Sequence, residues 1–345
     1  IRWKTGWKEG FNMEEIILNA LKENAGYVSG EELSEQLGVS RTAVWKHIQE
    51  LRKKGYVIES RSKRGYRLLK STDRLDGSEI SRHLKTVELG RVLRLFDTLD
   101  STNAEGKRVS ATRFENGTVI LSEEQTLGKG RLGRVWVSPA GKGLWMSVLM
   151  RPTDLEPKDG SKLTIVAAAA VASAVEKVTK LQVGIKWPND IVRNGKKVCG
   201  ILTEMGAEMD AISWLILGIG INVNLEKEDF PEELKNTGTS LRIELGEEQA
   251  ESIDRNLLCA EILNELERFG RLFFETGRLT EVLDYYRERV LVKDRELLVH
   301  TRGGSFHRIG VGISEEGHLL VRTEDGKTEE YMSGEVSVRG LYGYV

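Results

Sequence analysis

The chain has 345 residues, room for two or three domains, and its 30 % charged and 39 % hydrophobic residues are those of an ordinary globular protein. Lysine and arginine number 51 against 53 aspartates and glutamates, so the net charge of −2 excludes a global field for nucleic acid, and any basic surface must be local. Two distant cysteines, Cys199 and Cys259, argue against a disulfide framework or a zinc site and fit a cytoplasmic location, while the longest apolar stretches, near 165–175 and 214–223, are too short to span a bilayer.

Residues 1–12 carry no helical or strand period and read as an extension or tag. From Met13 apolar residues recur at one-turn spacing, Ile16, Ile17, Ala20 and Leu21. A second helix opens at Ser29, with Glu32 completing a capping box, and stops at Gly38. Ser40 caps a third, whose Val44, Ile48 and Leu51 face inward and whose Thr42, Lys46, Gln49 and Lys53 face out, with Trp45 on the flank. Two extended runs, 56–60 and 66–69, flank the basic turn Arg61-Ser62-Lys63-Arg64-Gly65. Between Ser40 and Lys70 there are ten cations and two carboxylates, Glu50 and Glu59, an excess of +8. Residues 13–70 therefore read as a winged helix-turn-helix that binds DNA through Ser40, Arg41, Thr42, Trp45, Lys46 and Gln49 on the third helix and Arg61, Lys63 and Arg64 on the wing.

Residues 71–77 read as a linker, after which strands alternate with helices through 78–288, the pattern of an α/β or α+β core. A strand at 93–96 leads to Ser101-Thr102-Asn103, which is expected to cap a helix, and a strand from Gly117 leads into Gln125-Thr126-Leu127-Gly128-Lys129-Gly130-Arg131-Leu132-Gly133-Arg134-Val135-Trp136. Three glycines and three cations in one loop suit an anion. The spacing also satisfies G-x-G-x-x-G, but a dinucleotide fold needs a helix to start there, and Val135-Trp136-Val137-Ser138-Pro139 is extended. The kinase signatures that would accompany a glycine-rich loop are missing as well. An alanine-rich helix, 163–178, suits close packing on a sheet. In Val183-Gly184-Ile185-Lys186-Trp187 alternation puts Gly184 and Lys186 on one face, so the lysine is expected beside a space that the glycine leaves open. Gly218, Gly220 and Asn222 likewise share a face opposite Ile219 and Ile221, the floor of a ligand pocket. The acidic stretch 225–234 reads as a solvated loop. Helices are expected at 254–274 and 279–286, and period-two runs with turns at Glu316-Gly317 and Asp325-Gly326 predict a small all-β barrel over 289–345.

Only five histidines occur and H-E-x-x-H is absent, so no metal ligand is assigned and a histidine triad is not expected. Chemistry built from cations and backbone amides remains.

Taken together, Asp100-Ser101-Thr102-Asn103, Glu124-Gln125-Thr126 with the glycine loop and Trp136, Lys186-Trp187-Pro188-Asn189-Asp190, Gly200-Ile201-Leu202-Thr203-Glu204 and Gly218-Ile219-Gly220-Ile221-Asn222-Val223 resemble the motifs of a biotin protein ligase, from Met13 to Arg339. With the winged helix, the chain is similar to bifunctional members that also repress biotin operons. The resemblance implies an N-terminal winged helix, a central biotin/lipoate-ligase-like domain and a C-terminal SH3-like barrel. It implies ATP with Mg²⁺, biotin as substrate, and biotinyl-5′-AMP as intermediate and corepressor. Implied partners are a biotin carboxyl carrier domain, operator DNA and a second copy of the chain in a ligand-promoted dimer. Biotin would be held by Ser101, Thr102, Asn103, Gln125, Gly128, Lys129, Gly130, Arg131, Lys186, Gly218 and Gly220, and ATP by Arg131, Arg134, Trp136, Lys186, Asn189, Asn222 and Arg339; Lys186 and Arg131 would be catalytic. Lys129 stands where the family usually has arginine, keeping the charge and losing the bidentate fork. The competing implications are a ligase without regulatory DNA binding and a lipoate-type ligase.

Overall fold

The helix, glycine turn, helix pattern after Met13 is realised as α1 (Met13–Glu23), α2 (Gly30–Leu37) and α3 (Arg41–Lys53), followed by the antiparallel pair β1 (Val57–Arg61) and β2 (Gly65–Lys70). The computed structural model describes the chain except residues 1–12, 25, 71, 154, 209–210, 247–252, 302, 333–336 and 341–345. The sequence reading of 1–12 lies outside the described residues. Ser29 and Ser40 accept from the Glu32 and Ala43 amides at 3.0 and 3.2 Å, satisfying orphan N–H groups at each helix start, and Gly38 ends α2 at φ 67°. Ile17, Leu33, Val44, Ile48 and Leu51 close a small core, in which truncating Ile48 to alanine would cost roughly 2–5 kcal/mol. Gly65 is obligatory, because at φ 104° a Cβ there would meet the Val28 carbonyl oxygen at 2.0 Å.

The chain divides into two compact units, the first ending at Arg74 and the second beginning at Leu75. Leu75 and Asp76, expected in the linker, belong to the second. The Leu75 amide donates to Glu123 at 2.6 Å and the Asp76 amide to Asn256 at 2.8 Å, and Asp76 caps α4 (Gly77–His83).

The second unit is built on a seven-stranded mixed sheet of β3 (Leu93–Leu99), β4 (Thr118–Gln125), β5 (Gly143–Met150), β6 (Gly184–Lys186), β7 (Asp190–Arg193), β8 (Lys196–Glu208) and β9 (Ala211–Asn222). The order is β3-β4-β5-β9-β8-β7-β6, with β3 parallel to β4 and the other neighbours antiparallel. Alternation along β9 sets the two faces. Leu217, Ile219 and Ile221 join the main core with α6 (Leu163–Thr179) and α8 (Arg255–Thr276), whereas Ile216 packs with Val109 of α5 (Thr102–Ser110) on the opposite face. The alanines of α6 let it seat closely against α8 and the sheet, and every residue from Leu163 to Val175 is buried.

After α7 (Leu241–Leu245) and α9 (Thr280–Arg289), strands β10 (Glu296–Thr301), β11 (Gly304–Ile313), β12 (Leu319–Arg322), β13 (Thr328–Tyr331) and β14 (Ser337–Gly340) form an antiparallel sheet in the order β13-β12-β11-β10-β14. The predicted turn glycines Gly317 and Gly326 take φ 78° and 82°. Leu297, Val299, Ile313, Leu319 and Val321 lie in the same apolar core as α6 and the central sheet. The C-terminal sheet is therefore part of the second compact unit. Among the described residues no helix is long and apolar enough to cross a membrane.

Candidate active site

The face of the central sheet against which α5 packs carries three cross-strand rows. Trp145, Gly220 and Gly200 form one, Ser147, Gly218 and Leu202 the next, and Leu149, Ile216 and Glu204 the third. The glycines make the floor, as their spacing in sequence predicts, and two side chains lie on it. A Cβ on Gly218 would stand 2.2 Å from Asn103 Oδ1, and one on Gly220 2.6 Å from Trp136 Nε1.

Asn103 is fixed at both ends of its amide. Its Nδ2 donates to Glu204 at 2.9 Å, and the Ser147 hydroxyl stands 2.6 Å from its Oδ1. Glu204 is held in turn by Lys107 at 2.7 Å; burial pushes its carboxyl up, but the bonds from Lys107 and Asn103 outweigh this and leave it below its ordinary value. Gln125 accepts from the Thr102 amide at 2.9 Å and donates to Ser138 at 2.8 Å. Ser101 occupies the N-cap position of α5, but its side chain makes no capping bond; the Gln125 side chain caps Thr102 instead. The expected cap is thus supplied from β4.

The glycine loop is a narrow hairpin. Gly130 donates to the Arg134 carbonyl at 2.7 Å and Trp136 to that of Gly128 at 2.9 Å, with a short 3-10 turn, Arg131–Gly133, at the tip. Gly128 is required where the hairpin closes, since a Cβ would meet the Trp136 carbonyl oxygen at 2.2 Å. Arg131 reaches down to donate to Asn189 Oδ1 at 2.9 Å, and Asn189 donates to the Ile201 carbonyl at 2.9 Å. Burial pulls the Arg131 guanidinium below its ordinary pKa, Asp190 opposing this and Arg134 adding to it, so the site holds this cation less well than water does. An anion beside it would reverse that deficit.

Two adjoining cavities result. The smaller, about 50 Å³, is lined by Ser101, Thr102, Asn103 and Gln125 together with Lys129, Gly218 and Gly220. The larger, about 620 Å³, is lined by Lys186, Arg134 and Asn222. Gly130, Arg131, Trp136, Asn189 and Lys197 line both. Gly128 lines neither, and Lys186 lines the larger alone.

Several expectations need correction. No open space lies beside Gly184, because a Cβ there would stand 2.5 Å from Leu291, whose side chain fills the gap. Lys186 is nevertheless on the larger cavity, carried by β6, which is anchored where the Trp187 indole donates to the Gly317 carbonyl at 3.0 Å. The acidic stretch 225–234 is more than a solvated loop: Leu225 and Phe230 are buried and line the larger cavity with Leu234. Arg339 has its backbone in β14, opposite Leu298, but its side chain lies outside the described residues. Ser147, Ser138 and Lys197, which position or line the site, were not singled out in the sequence as site residues, and Glu204 was quoted there only as the end of the Gly200–Glu204 motif, with no role assigned.

In the winged helix, Thr42, Trp45 and Lys46 are exposed on α3, with Trp45 51 % accessible. Arg41 pairs with Glu31 at 2.7 Å and Arg61 with Glu59 at 3.0 Å, so part of the +8 is compensated locally. Lys46, Lys63 and Arg64 make no ion pair among the described residues. Of the five cations expected to contact DNA, those three are the ones that no carboxylate compensates among the described residues.

A family model described as the biotin/lipoate A/B protein ligase family matches residues 95–222, one for an HTH domain matches 14–67, and one for the biotin protein ligase C terminal domain matches 298–339. The bifunctional ligase/repressor BirA of Bacillus subtilis is 42 % identical over 305 residues, 88 % of this chain and 92 % of that protein. Its Escherichia coli counterpart is 30 % identical over 336 residues, 95 % and 98 % of the two chains. Among solved structures, the biotin protein ligase from Aquifex aeolicus in complex with biotin and ATP matches with a TM-score of 0.63 at 31 % identity, over 72 % of this chain and 99 % of that one. The motifs, the winged helix and these matches agree, and the chain belongs to the biotin protein ligases, in the bifunctional ligase/repressor family.

Proposed function

We propose that the protein attaches biotin to a lysine of a biotin carboxyl carrier domain in two steps driven by ATP, and that it represses biotin genes when it carries the intermediate. The observation that supports this most is the pair of cavities meeting at Arg131, one with hydroxyl and amide side chains over strand glycines, the other lined by Arg134 and Lys186. The ureido ring of biotin belongs with Ser101, Thr102, Asn103 and Gln125 over Gly218 and Gly220. Its carboxylate then points past Lys129, Gly130 and Arg131 toward the nucleotide in the larger cavity. As it stands the smaller cavity is well below the roughly 300 Å³ and upward of ordinary ligand sites, so the hairpin with Gly128 and Trp136 must shift to admit biotin.

In the first step a carboxylate oxygen attacks the α-phosphorus, the bond to the β-phosphate breaks and pyrophosphate leaves. Lys186 and Arg131 offset the negative charge that converges there, a stabilisation needed most in the transition state. Arg134, Asn189 and Asn222 with Arg339 hold the nucleotide, and Trp136 covers the adenine. In the second step the carrier's lysine amine attacks the mixed anhydride, forming an amide and releasing AMP. A closed hairpin keeps water from the anhydride in between. Magnesium would come with ATP and screen its phosphate charge, held chiefly by phosphate and water oxygens, since Asp190, the carboxylate on the larger cavity, is paired with Lys197.

Repression uses α3 in a major groove, through Ser40, Arg41, Thr42, Trp45, Lys46 and Gln49, and the wing residues Arg61, Lys63 and Arg64 on phosphates. One winged helix covers one half-site, so the adenylate-bound chain acts as a homodimer, with biotinyl-AMP as corepressor. This places the protein in the cytoplasm, where ATP, carrier and operator occur together. The test is incubation with biotin and α-labelled ATP, followed by operator titration and sedimentation with and without the product. Formation of biotinyl-AMP and tighter operator binding in its presence are expected. No adenylate overturns the ligase reading, formation of a lipoyl adenylate alone would favour a lipoate-type ligase, and operator affinity independent of the adenylate overturns the corepressor reading.

A further inference from the structure

Trp136 stands at the junction of the two cavities, and what keeps its ring there is not a hydrogen bond. Its indole N–H is buried without an acceptor among the described residues. The ring rests on the strand glycines: a Cβ on Gly200 would meet its Cζ3 at 3.0 Å, and one on Gly220 its Nε1 at 2.6 Å. Trp145 meets it edge-on, with centroids 6.4 Å apart. The charged group over the ring is Lys197, whose Nζ lies 5.1 Å from the centroid.

Lys197 is itself firmly placed. It is on β8, its amide donates to the Thr237 carbonyl at 2.8 Å and its carbonyl accepts from Thr239 at 2.9 Å, while its Nζ is 2.6 Å from Asp190 Oδ1. The hairpin that carries Trp136 instead closes its backbone bonds on itself, so its tip is tied to the sheet through side chains such as Arg131 and Trp136. A cation on a rigid strand thus bears on an aromatic ring at the end of a self-contained loop.

We propose that Lys197 is a positioning residue for the ligase reaction: held by Asp190 and the 237–239 segment, its ammonium lies at the floor beside Gly200 and attracts the Trp136 ring, holding it against the Gly200 and Gly220 floor and so slowing escape of the bound adenylate. The inference rests on the ligase reading above, and it assigns Lys197 no bond-making role. Asp190 is thereby part of the same device, as the group that fixes the ammonium over the ring.

The test uses the full chain loaded with labelled biotinyl-AMP and chased with unlabelled ligand, in parallel with KM for ATP and kcat of adenylation. Lys197→Met keeps the stem and removes the charge; Lys197→Arg keeps a cation over the ring. The expected result is roughly three- to ten-fold faster release and a comparable rise in KM for ATP in Lys197→Met, the range a cation–π contact supports, with kcat within about two-fold of wild type and release largely restored in Lys197→Arg. Should Lys197→Met fail to fold, Lys197→Gln serves in its place. In a Trp136→Leu background the same change should have no further effect. Release at the wild-type rate, equally fast release in the Met and Arg variants, or an undiminished effect without Trp136 overturns the proposal. Wild-type protein that forms no biotinyl-AMP overturns the ligase reading instead, and is distinguished before any variant is compared.

Discussion

Gly218→Ala isolates the half of the site proposed for biotin. A Cβ at this position would lie 2.2 Å from Asn103 Oδ1, 2.8 Å from its Cγ and 3.0 Å from its Nδ2, so the whole amide is in the way and cannot clear it by sliding. Displacing Asn103 breaks its bond to Glu204 at 2.9 Å and its contact with Ser147 at 2.6 Å, inside a pocket where Asn103 is only 4 % exposed. Leaving such groups unsatisfied costs about 1–3 kcal/mol, which is roughly five- to hundred-fold in biotin affinity if Asn103 reads the ureido ring. Titration calorimetry with biotin alone measures this, and ATP binding supplies the control, because Gly218 lines the smaller cavity and not the larger. Biotin affinity within about two-fold of wild type, against the 1–3 kcal/mol expected, would refute the assignment of Asn103. An equal loss for biotin and ATP would show general damage to the sheet instead.

Lys186→Met should lower adenylation, read as pyrophosphate release, by on the order of 10²-fold while the melting temperature moves little, since the change removes charge where charge converges. Adenylation at the wild-type rate would refute that role. A chain starting at Asp73 should keep adenylation and lose operator binding, whereas one starting at Gly77, without the Asp76 cap and the Leu75 and Asp76 anchors, should also lose about 1 kcal/mol or more of stability in a melt. Retained operator binding in either fragment would remove the winged helix as the DNA reader. Glu265 gives an acid limb: burial pushes its carboxyl up, but Arg268, Lys177 and Ser173 outweigh that and bring it down to about 2. Because this is below the ordinary value of about 4.3, its pairing stabilises fully above that value and is lost as pH falls through about 2. The stability gap between wild type and Glu265→Gln, followed by denaturant melts, should therefore narrow between pH 5 and pH 2, and a constant gap would refute it.

What the sequence made legible follows the reach of its signals. Period-two alternation placed Gly218, Gly220 and Asn222 opposite Ile219 and Ile221 because pleating is a local property of a strand. Helix caps at Ser29 and Ser40 were legible for the same reason. The glycine beside Lys186 misled, because nothing local tells that Leu291, more than a hundred residues away, fills its space. Ser147 and Lys197 were silent, and Glu204 was visible only as the end of a motif without a role: each acts through a partner brought alongside by strand pairing or by the hairpin. The acidic stretch 225–234 was read from its charges, while its structural part is played by Leu225 and Phe230, which pack with Trp145.

The shared core of the second unit bears on which parts of such a protein are exchangeable. Strand β6, which presents Lys186, is bridged to Val290, its Ile185 carbonyl accepts from Leu291 at 2.9 Å, and Trp187 just beyond it is bonded to Gly317. The C-terminal sheet therefore works as a buttress for Lys186, to which the proposed mechanism gives a catalytic role, and a graft from a relative joined at residue 290 would bring foreign side chains against Gly184 and Trp187. The winged helix, which closes its own core within residues 17–58, is free of that constraint. Recombination between members of the family should accordingly yield active ligases with exchanged DNA readers far more readily than with exchanged C-terminal sheets.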